Sequence, residues 1–444
     1  MIDHLAERQL SNLGADREEL NAKLDALVRQ FGLDWLKADG ANPLQILWNS
    51  RDALATNELL NFGDAVENFE QVDSGWLGRQ ASAIKGDNEG NRAGAIFELL
   101  GLNFFLFAKN KVVPSSGSNP GYDGVVELLD QSTLLVSIKN HGMSSHEKIF
   151  RRHAKKLDDQ IIGWLRRHGR SGIEMRVLCP NRHLDTAEWS KLRKDAMDIL
   201  NGQLDGTAKD LVIKSGCQVI LRNLTEHHPL STNQISSVVF VCGKAHKNEQ
   251  DKFVEDLRKG CVNLVEHTKN KPESACPVLF VRLCANASIS NCEKWAHDYF
   301  EQFPNERVGL ILLYQAAVVT SRNSTSLTHY MLPILGPLFN AWAHPLGKPV
   351  RRLPNLAVLI GTVSQSASKK VIQLPDRQIP LDDLYVYQRG DIHKLYHWDG
   401  RSELKAGLSN PAPGIKIHAE IGNETGSIPL QVISPPTGDL VLLP

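Results

Sequence analysis

The stretch from residue 94 to residue 142 limits what this chain can fold into more than any other, because three charged side chains lie among its apolar elements. Glu98 lies in an apolar helical run, Asp123 begins a strand-like run, and Lys139 ends the next strand-like run. Two acids and one base at the end of a sheet are suited to hold a metal ion and a phosphate. Whether these side chains meet depends on how the two runs pair.

The two strand-like runs are predicted to form a hairpin. Residues 123–129 and 133–139 are rich in Val and Leu. Between them lie three residues that favour a turn, Asp130, Gln131 and Ser132. A three-residue turn puts Asp123 directly opposite Lys139 on one face of the hairpin. A two-residue turn would separate the pair.

Glu98 is expected to be buried. Its neighbours make the helix apolar nearly all round: Ile96, Phe97, Leu99, Leu100, Leu102, Phe104 and Phe105. An ionised carboxylate in an apolar interior must shift its pKa, pair with a cation or bind a metal. Asp123 and Lys139 are the expected partners. The alternative interpretation is a buried ion pair between Asp123 and Lys139 in an unrelated α/β domain.

The composition is that of a soluble globular protein of two or three domains, with 42% hydrophobic and 23% charged residues in 444. Lys plus Arg and Asp plus Glu both number 50, so attraction to nucleic acid must come from local patches. The seven cysteines are scattered without a C-x-x-C pair, which predicts reduced core residues. The N-terminus lacks a signal-peptide pattern and the apolar runs are short, which predicts a cytoplasmic protein without membrane contact.

Four consecutive regions are predicted from the pattern of elements. Residues 1–85 have helical spacing and are expected to form a helical N-terminal region. Residues 86–235 combine helices and strands and contain all three charged residues. Residues 236–375 alternate strands with helices, which favours an α/β domain. Residues 376–444 contain short β-like segments broken by Pro and Gly, which favours a β-rich region.

The order of elements in residues 86–235 is helix, three strands, helix and strand. The helices are predicted at 93–108 and 146–168, and the last strand from Glu174 to Cys179. This is an αβββαβ order within an α/β fold class.

With Glu98 on the first helix, Asp123 on the second strand and Lys139 on the third, this order resembles the core of the PD-(D/E)XK nuclease superfamily. The resemblance covers residues 93–180. It implies a restriction-endonuclease-like core and a metal-dependent nuclease that uses Mg²⁺ or Mn²⁺. It also implies that Lys139, Asp123 and Glu98 are catalytic, with Lys139 contacting the attacking water and the scissile phosphate.

Ser137 departs from the superfamily pattern, because an acidic residue is expected two positions before Lys139. A hydroxyl is a poorer ligand for Mg²⁺ than a carboxylate, so one charge of the metal site is missing. Glu127, predicted on the same face as Asp123, or Glu98 could supply it. The implied metal ligands are Asp123, Glu98, Glu127 and the backbone carbonyl of Ile138, with Ser137 and His141 as secondary candidates.

The helix predicted for residues 146–168 has a basic face that could bind nucleic acid. Its candidate phosphate contacts are Lys148, Arg151, Arg152 and Lys155. An ordinary solvated surface explains the same charge pattern equally well. A zinc site is not expected, because no Cys/His cluster has ligand spacing.

The resemblance therefore implies a metal-dependent DNA endonuclease that acts in restriction, defence against foreign DNA or repair. The residues do not discriminate DNA from RNA. The region after the core leaves room for a second copy of the chain or a partner protein to bind. The alternative is a nuclease-fold protein without catalysis that acts as a nucleic-acid-binding or assembly module, and Ser137 is the residue that favours it.

Overall fold

The computed structural model shows an α/β protein, as the sequence predicted. It describes residues 3–5, 8, 16–40, 42–49, 53–106, 110–115, 121–128, 131–168, 172–202, 209–212, 217–223, 236–269, 275–284, 287–321, 324–339, 342, 356–359, 362–364, 371–373, 378–380, 383–388, 403–409, 416–423 and 426–433. Ten helices and eighteen strands lie within these residues.

The helices occupy mainly the first two thirds of the chain. They are α1 (Arg17–Phe31), α2 (Leu33–Lys37), α3 (Pro43–Asn49), α4 (Ala53–Val72), α5 (Ser74–Lys85), α6 (Glu89–Leu106), α7 (Ser145–Arg167), α8 (Thr186–Gly202), α9 (Glu249–Thr268) and α10 (Ile289–Gln302).

The strands begin after α6. They are β1 (Lys111–Pro114), β2 (Gly124–Glu127), β3 (Thr133–His141), β4 (Gly172–Cys179), β5 (Lys209–Val212), β6 (Gln218–Asn223), β7 (Ser236–Lys244), β8 (Ala275–Leu283), β9 (Leu310–Ser321), β10 (Ser324–Leu335), β11 (Leu356–Leu359), β12 (Thr362–Ser364), β13 (Val371–Gln373), β14 (Gln378–Pro380), β15 (Leu384–Gln388), β16 (Glu403–Ser409), β17 (Lys416–Asn423) and β18 (Gly426–Ile433).

Five helices, α1 to α5, lie within residues 17–85 and pack into an apolar layer continuous with α6. Local signals set their limits. The Asp16 side chain accepts the amide of Glu18 at the start of α1, and Gly32, with φ of 85°, ends that helix. The Asp73 side chain caps α5 in the same way. Such caps satisfy amides that have no partner within the helix.

The larger sheet has eight strands in the order β1-β2-β3-β8-β9-β10-β11-β12. β1, β2 and β3 are antiparallel neighbours, whereas β3, β8 and β9 run parallel. Helix α6 packs on one face, against Val136 and Ile138 of β3, and α9 packs on the other, against Leu135. Alternation of side chains along β3 explains why one strand contributes to two cores.

The second sheet has five strands in the order β15-β7-β4-β6-β5, and β4 and β7 are parallel. Helices α7 and α8 contribute to the core of this sheet, where Trp189 is fully buried. Cys179 and Cys217 are joined by a disulfide, so the expectation that all cysteines are reduced is wrong for this pair. The described remainder of the chain includes a β13-β14 pair and a three-stranded β16-β17-β18 sheet.

Two details of the predicted topology are corrected. The strand predicted from Glu174 to Cys179 belongs to the second sheet, and the parallel neighbour of β3 is β8 instead. Strands of residues 86–235 and 236–375 therefore pair with one another, so the sheets do not follow the predicted boundary at residue 235. Among the helices that the structure describes, none has the length and apolarity needed to cross a bilayer.

Candidate active site

The charged residues converge where β3 extends beyond β2. β2 pairs with β3 only over residues 133–136, whereas β8 pairs with β3 over residues 133–141. On the side away from β8, the backbone edge of β3 therefore lacks a β2 partner from residue 137 onward. An unpaired backbone edge needs other hydrogen-bond partners.

Asp123 provides hydrogen-bond acceptors at this edge. It comes immediately before β2, and its carboxylate accepts the amide of Ile138 at 2.5 Å, with the hydroxyl of Ser137 at 3.5 Å. The hairpin register differs from the prediction, because Gly124 pairs with Val136 and five residues separate the strands. Asp123 thus lies beside Ser137 and Ile138 and not directly opposite Lys139.

Glu98 reaches this region from α6. The helix lies close to the sheet because two glycines leave room: a Cβ on Gly101 would lie 3.1 Å from Ile138, and one on Gly124 would lie 2.6 Å from Leu102. Burial raises the pKa of the Glu98 carboxyl to about 7, and the charge of Asp123 adds to the rise. A hydrogen bond from Gln80 (2.8 Å) and the charge of Lys139 oppose it.

Lys139 lies on the face of the sheet that packs against α9, opposite to the face that packs against α6. A Cβ on Gly260 of α9 would lie 3.5 Å from Cγ of Lys139. Its ammonium charge lowers the pKa of both Asp123 and Glu98, against the larger effect of burial, which leaves the pKa of each acid above its ordinary value. The two acids and the base are therefore within electrostatic range of one another.

Two half-buried carboxylates with raised pKa values fit a divalent cation. Neighbouring acids in a site of low dielectric repel one another unless a proton or a cation lies between them. Lys139 supplies only one positive charge for two acids. A cation held by Asp123 and Glu98 would supply the remainder.

Glu127 is placed away from the predicted metal site, whereas the backbone of Ile138 lies beside Asp123. The Glu127 carboxylate binds Nζ of Lys111 at 3.0 Å and 3.1 Å. It lies four residues from Asp123, about 13 Å along an extended strand, so the two cannot share an ion. Ile138 contacts Asp123 through its amide.

The two secondary candidate ligands, Ser137 and His141, lie in different surroundings. Ser137 is fully buried and adjoins Asp123. His141 instead binds Asp256 of α9 at 2.9 Å. Burial alone would raise the pKa of Asp256, but hydrogen bonds from His141 and Lys252 hold that pKa at about 2. His141 thus belongs to a hydrogen-bonded pair that attaches β3 to α9.

The basic helix α7 packs on the second sheet. Lys148, Arg152 and Lys155 are exposed on it, and Lys155 pairs with Asp159 at 3.2 Å. Arg151 is largely buried and lies 3.6 Å from Glu147, so it is not available to a phosphate in the same way as the other three.

Gln80 is a site residue that the sequence did not reveal. It belongs to α5, in the region predicted to be an all-helical flank, yet its side-chain amide orients the Glu98 carboxylate. Only a helical alignment of α5 with α6 could have suggested the contact, and the spacing of a single helix does not give that alignment.

Comparison with protein-family models, with curated proteins and with solved structures found no match.

Proposed function

We propose that the protein is a metal-dependent endonuclease that hydrolyses DNA phosphodiester bonds at the Glu98, Asp123 and Lys139 cluster. The observation that carries the proposal is this cluster itself: two half-buried acids of raised pKa and one lysine at the open edge of β3. Phosphodiester hydrolysis needs a cation and a fixed positive charge beside the phosphate.

The element order also supports a restriction-endonuclease-like core. Helix α6, strands β1 to β3, helix α9 and strand β8 follow in the order αβββαβ, with α6 and α9 on opposite faces and β3 parallel to β8. The segment that contains α7, α8 and β4 to β7 is inserted between β3 and α9. The proposed core therefore uses α9 and β8 in place of α7 and β4, the helix and last strand that the sequence predicted.

The roles of the residues follow from their positions. Asp123 and Glu98 would hold Mg²⁺ or Mn²⁺, which supplies an activated water and neutralises charge on the phosphate. Lys139 would stabilise the phosphate oxygens, for which a compact ammonium suits. The hydrogen bond from Ile138 fixes the Asp123 carboxylate, and the one from Gln80 fixes that of Glu98.

A second candidate function is a nuclease-fold protein that binds nucleic acid without cutting it. Two observations favour it. Ser137 leaves the position beside Asp123 without a carboxylate, and Glu127 is bound to Lys111 and too far away to replace it. Two acids would bind Mg²⁺ more weakly than three.

Nicking of supercoiled plasmid tests the proposal. The wild-type protein should nick with Mg²⁺ or Mn²⁺ and not with EDTA, and Asp123→Asn and Lys139→Met should lose the activity. Glu127→Gln is the matched control, because it removes an exposed carboxylate from the same hairpin and should keep the activity. Binding to DNA without nicking by the wild type, with or without the metal, would favour the second function.

A further inference from the structure

Three histidines from distant parts of the chain meet at one edge of the second sheet. His146 lies in the first turn of α7, His183 follows β4 and His246 follows β7. Because β4 and β7 are parallel, their following loops leave from the same edge, where α/β sheets commonly bind ligands. One ring nitrogen of each histidine lies within 4.8 Å of the others.

The three rings are held in place by the fold. The rings of His146 and His246 stack with centroids 3.7 Å apart, and His183 stands edge-on to His246 at 4.9 Å. The loops are tied together, since the amide of Lys244 donates to the carbonyl of Arg182 at 3.0 Å. The hydroxyl of Tyr385 accepts the amide of His246 at 3.2 Å.

The backbone of β7 orients the ring of His183. Nδ1 of His183 lies 3.2 Å from the carbonyl of Lys244. A proton on that nitrogen would leave Nε2 free to bind a ligand.

His246 and Glu249 are already in contact with neighbours. Nδ1 of His246 accepts the amide of Asn248 at 3.2 Å, a long hydrogen bond that a ligand at this nitrogen would replace. One oxygen of Glu249 accepts hydrogen bonds from Ser144 and Tyr385. These bonds favour the imidazoles, and not this carboxylate oxygen, as ligands.

We propose that His146, His183 and His246 bind a divalent transition metal, zinc or a metal of similar ligand preference, in a site distinct from the Glu98 and Asp123 cluster. Imidazole nitrogens suit Zn²⁺, Co²⁺ and Ni²⁺, whereas Mg²⁺ prefers oxygen. Three protein ligands leave the fourth tetrahedral position for water or a bound molecule.

A cavity next to the site offers space for such a molecule. It has a volume of about 250 Å³, and its walls include His246, Ser144, Glu249 and Tyr385. The proposed metal site does not depend on the nuclease proposal, because it uses other residues on another sheet.

The test is Co²⁺ titration of the full-length protein, without a histidine tag and after EDTA treatment. Co²⁺ bound by three imidazoles gives visible absorption bands, so the readout is independent of any enzymatic activity. Wild-type protein should bind one equivalent at the histidine site. His183→Gln and His246→Gln should each weaken binding at least about tenfold, the loss that removal of even a residue supporting a ligand causes.

Two controls make the test specific. His168→Gln removes a histidine that stacks on Trp164 away from the cluster and should bind Co²⁺ as the wild type does. Asp123→Asn should also leave the absorption bands intact. Melting curves in EDTA show whether each variant is folded. Wild-type protein without the bands, or folded His183→Gln and His246→Gln variants with wild-type affinity, would overturn the proposal.

Discussion

At the scale of single residues, the candidate active site depends on how Glu98 and Asp123 tolerate burial. Each carboxylate has a hydrogen-bond donor, Gln80 for Glu98 and Ile138 for Asp123, yet burial still raises the pKa of both. A carboxyl group of raised pKa must release its proton before it can bind a cation, so cation binding at this site should depend on pH.

The first prediction concerns the pH dependence of metal binding. Since the pKa of Glu98 is about 7, Mn²⁺ must displace a proton below that pH, and its affinity should fall by about tenfold per pH unit. Glu98→Gln should bind Mn²⁺ more weakly and lose this dependence. Calorimetric titration at several pH values measures both. The same steep dependence in Glu98→Gln would assign the proton to another group.

Glu98 should also affect stability without metal. The pKa of its carboxyl is about 7 in the fold against an ordinary value of 4.5, so the folded state binds the proton more tightly. Its contribution favours folding at low pH and is lost as the pH rises through this window. Melting curves across the window should therefore show less loss of stability for Glu98→Gln than for wild type. Parallel curves would contradict the raised pKa.

Ser137→Asp tests the missing ligand. Ser137 is fully buried beside Asp123, so an added carboxylate should lower the melting temperature in EDTA and tighten Mn²⁺ binding. Ser190→Asp, on the exposed surface of α8, is the matched control and should do neither. Unchanged Mn²⁺ affinity in a folded Ser137→Asp variant would show that residue 137 does not face the metal.

At the scale of elements, the sequence predicted whether a segment forms a helix or a strand better than it predicted which strands pair. The apolar helix around Glu98, the hairpin and the basic helix all form. The predicted register of the hairpin was wrong, because its loop spans five residues instead of three and the length of the turn sets the register. β4 and β8 are both rich in apolar residues, and nothing in the sequence of either strand specifies its neighbour. The histidine cluster was not predicted either, because its three residues lie in or after different elements that only the fold brings together.

The exposed residues of α7 give a prediction about DNA binding. Arg152→Gln with Lys155→Gln should weaken DNA binding and reduce the slope of its salt dependence by about one to two units, one per lost phosphate contact. Arg166→Gln with Arg167→Gln removes two exposed charges from the other end of α7 and is the control. Equal slopes in both double variants would make the basic face of α7 an ordinary solvated surface.

At the scale of the whole molecule, both sheets join distant segments, as the pairs β3-β8 and β7-β15 show. The site therefore depends on residues far from it in sequence. Phe280 of β8 is buried, and the centroid of its ring lies 5.1 Å from that of Phe97 of α6. Aromatic packing thus connects β8 to the helix that carries Glu98.

Phe280→Ala should destabilise the protein by about 3 to 5 kcal/mol, because it leaves a large cavity between α6 and the sheet. Urea unfolding measures the loss. Val262→Ala, at a half-exposed position of α9, should change stability by no more than about 0.5 kcal/mol. Equal effects of the two substitutions would remove β8 from the core that supports the site.

The most direct test of the central claim is to locate Mn²⁺ by anomalous diffraction in crystals of the wild-type protein. The proposed site predicts an anomalous peak within about 2.5 Å of carboxylate oxygens of both Glu98 and Asp123. That peak should disappear in Asp123→Asn, and any peak at the three histidines should remain. Clear density for Glu98 and Asp123 with no peak between them at saturating Mn²⁺ would contradict the claim.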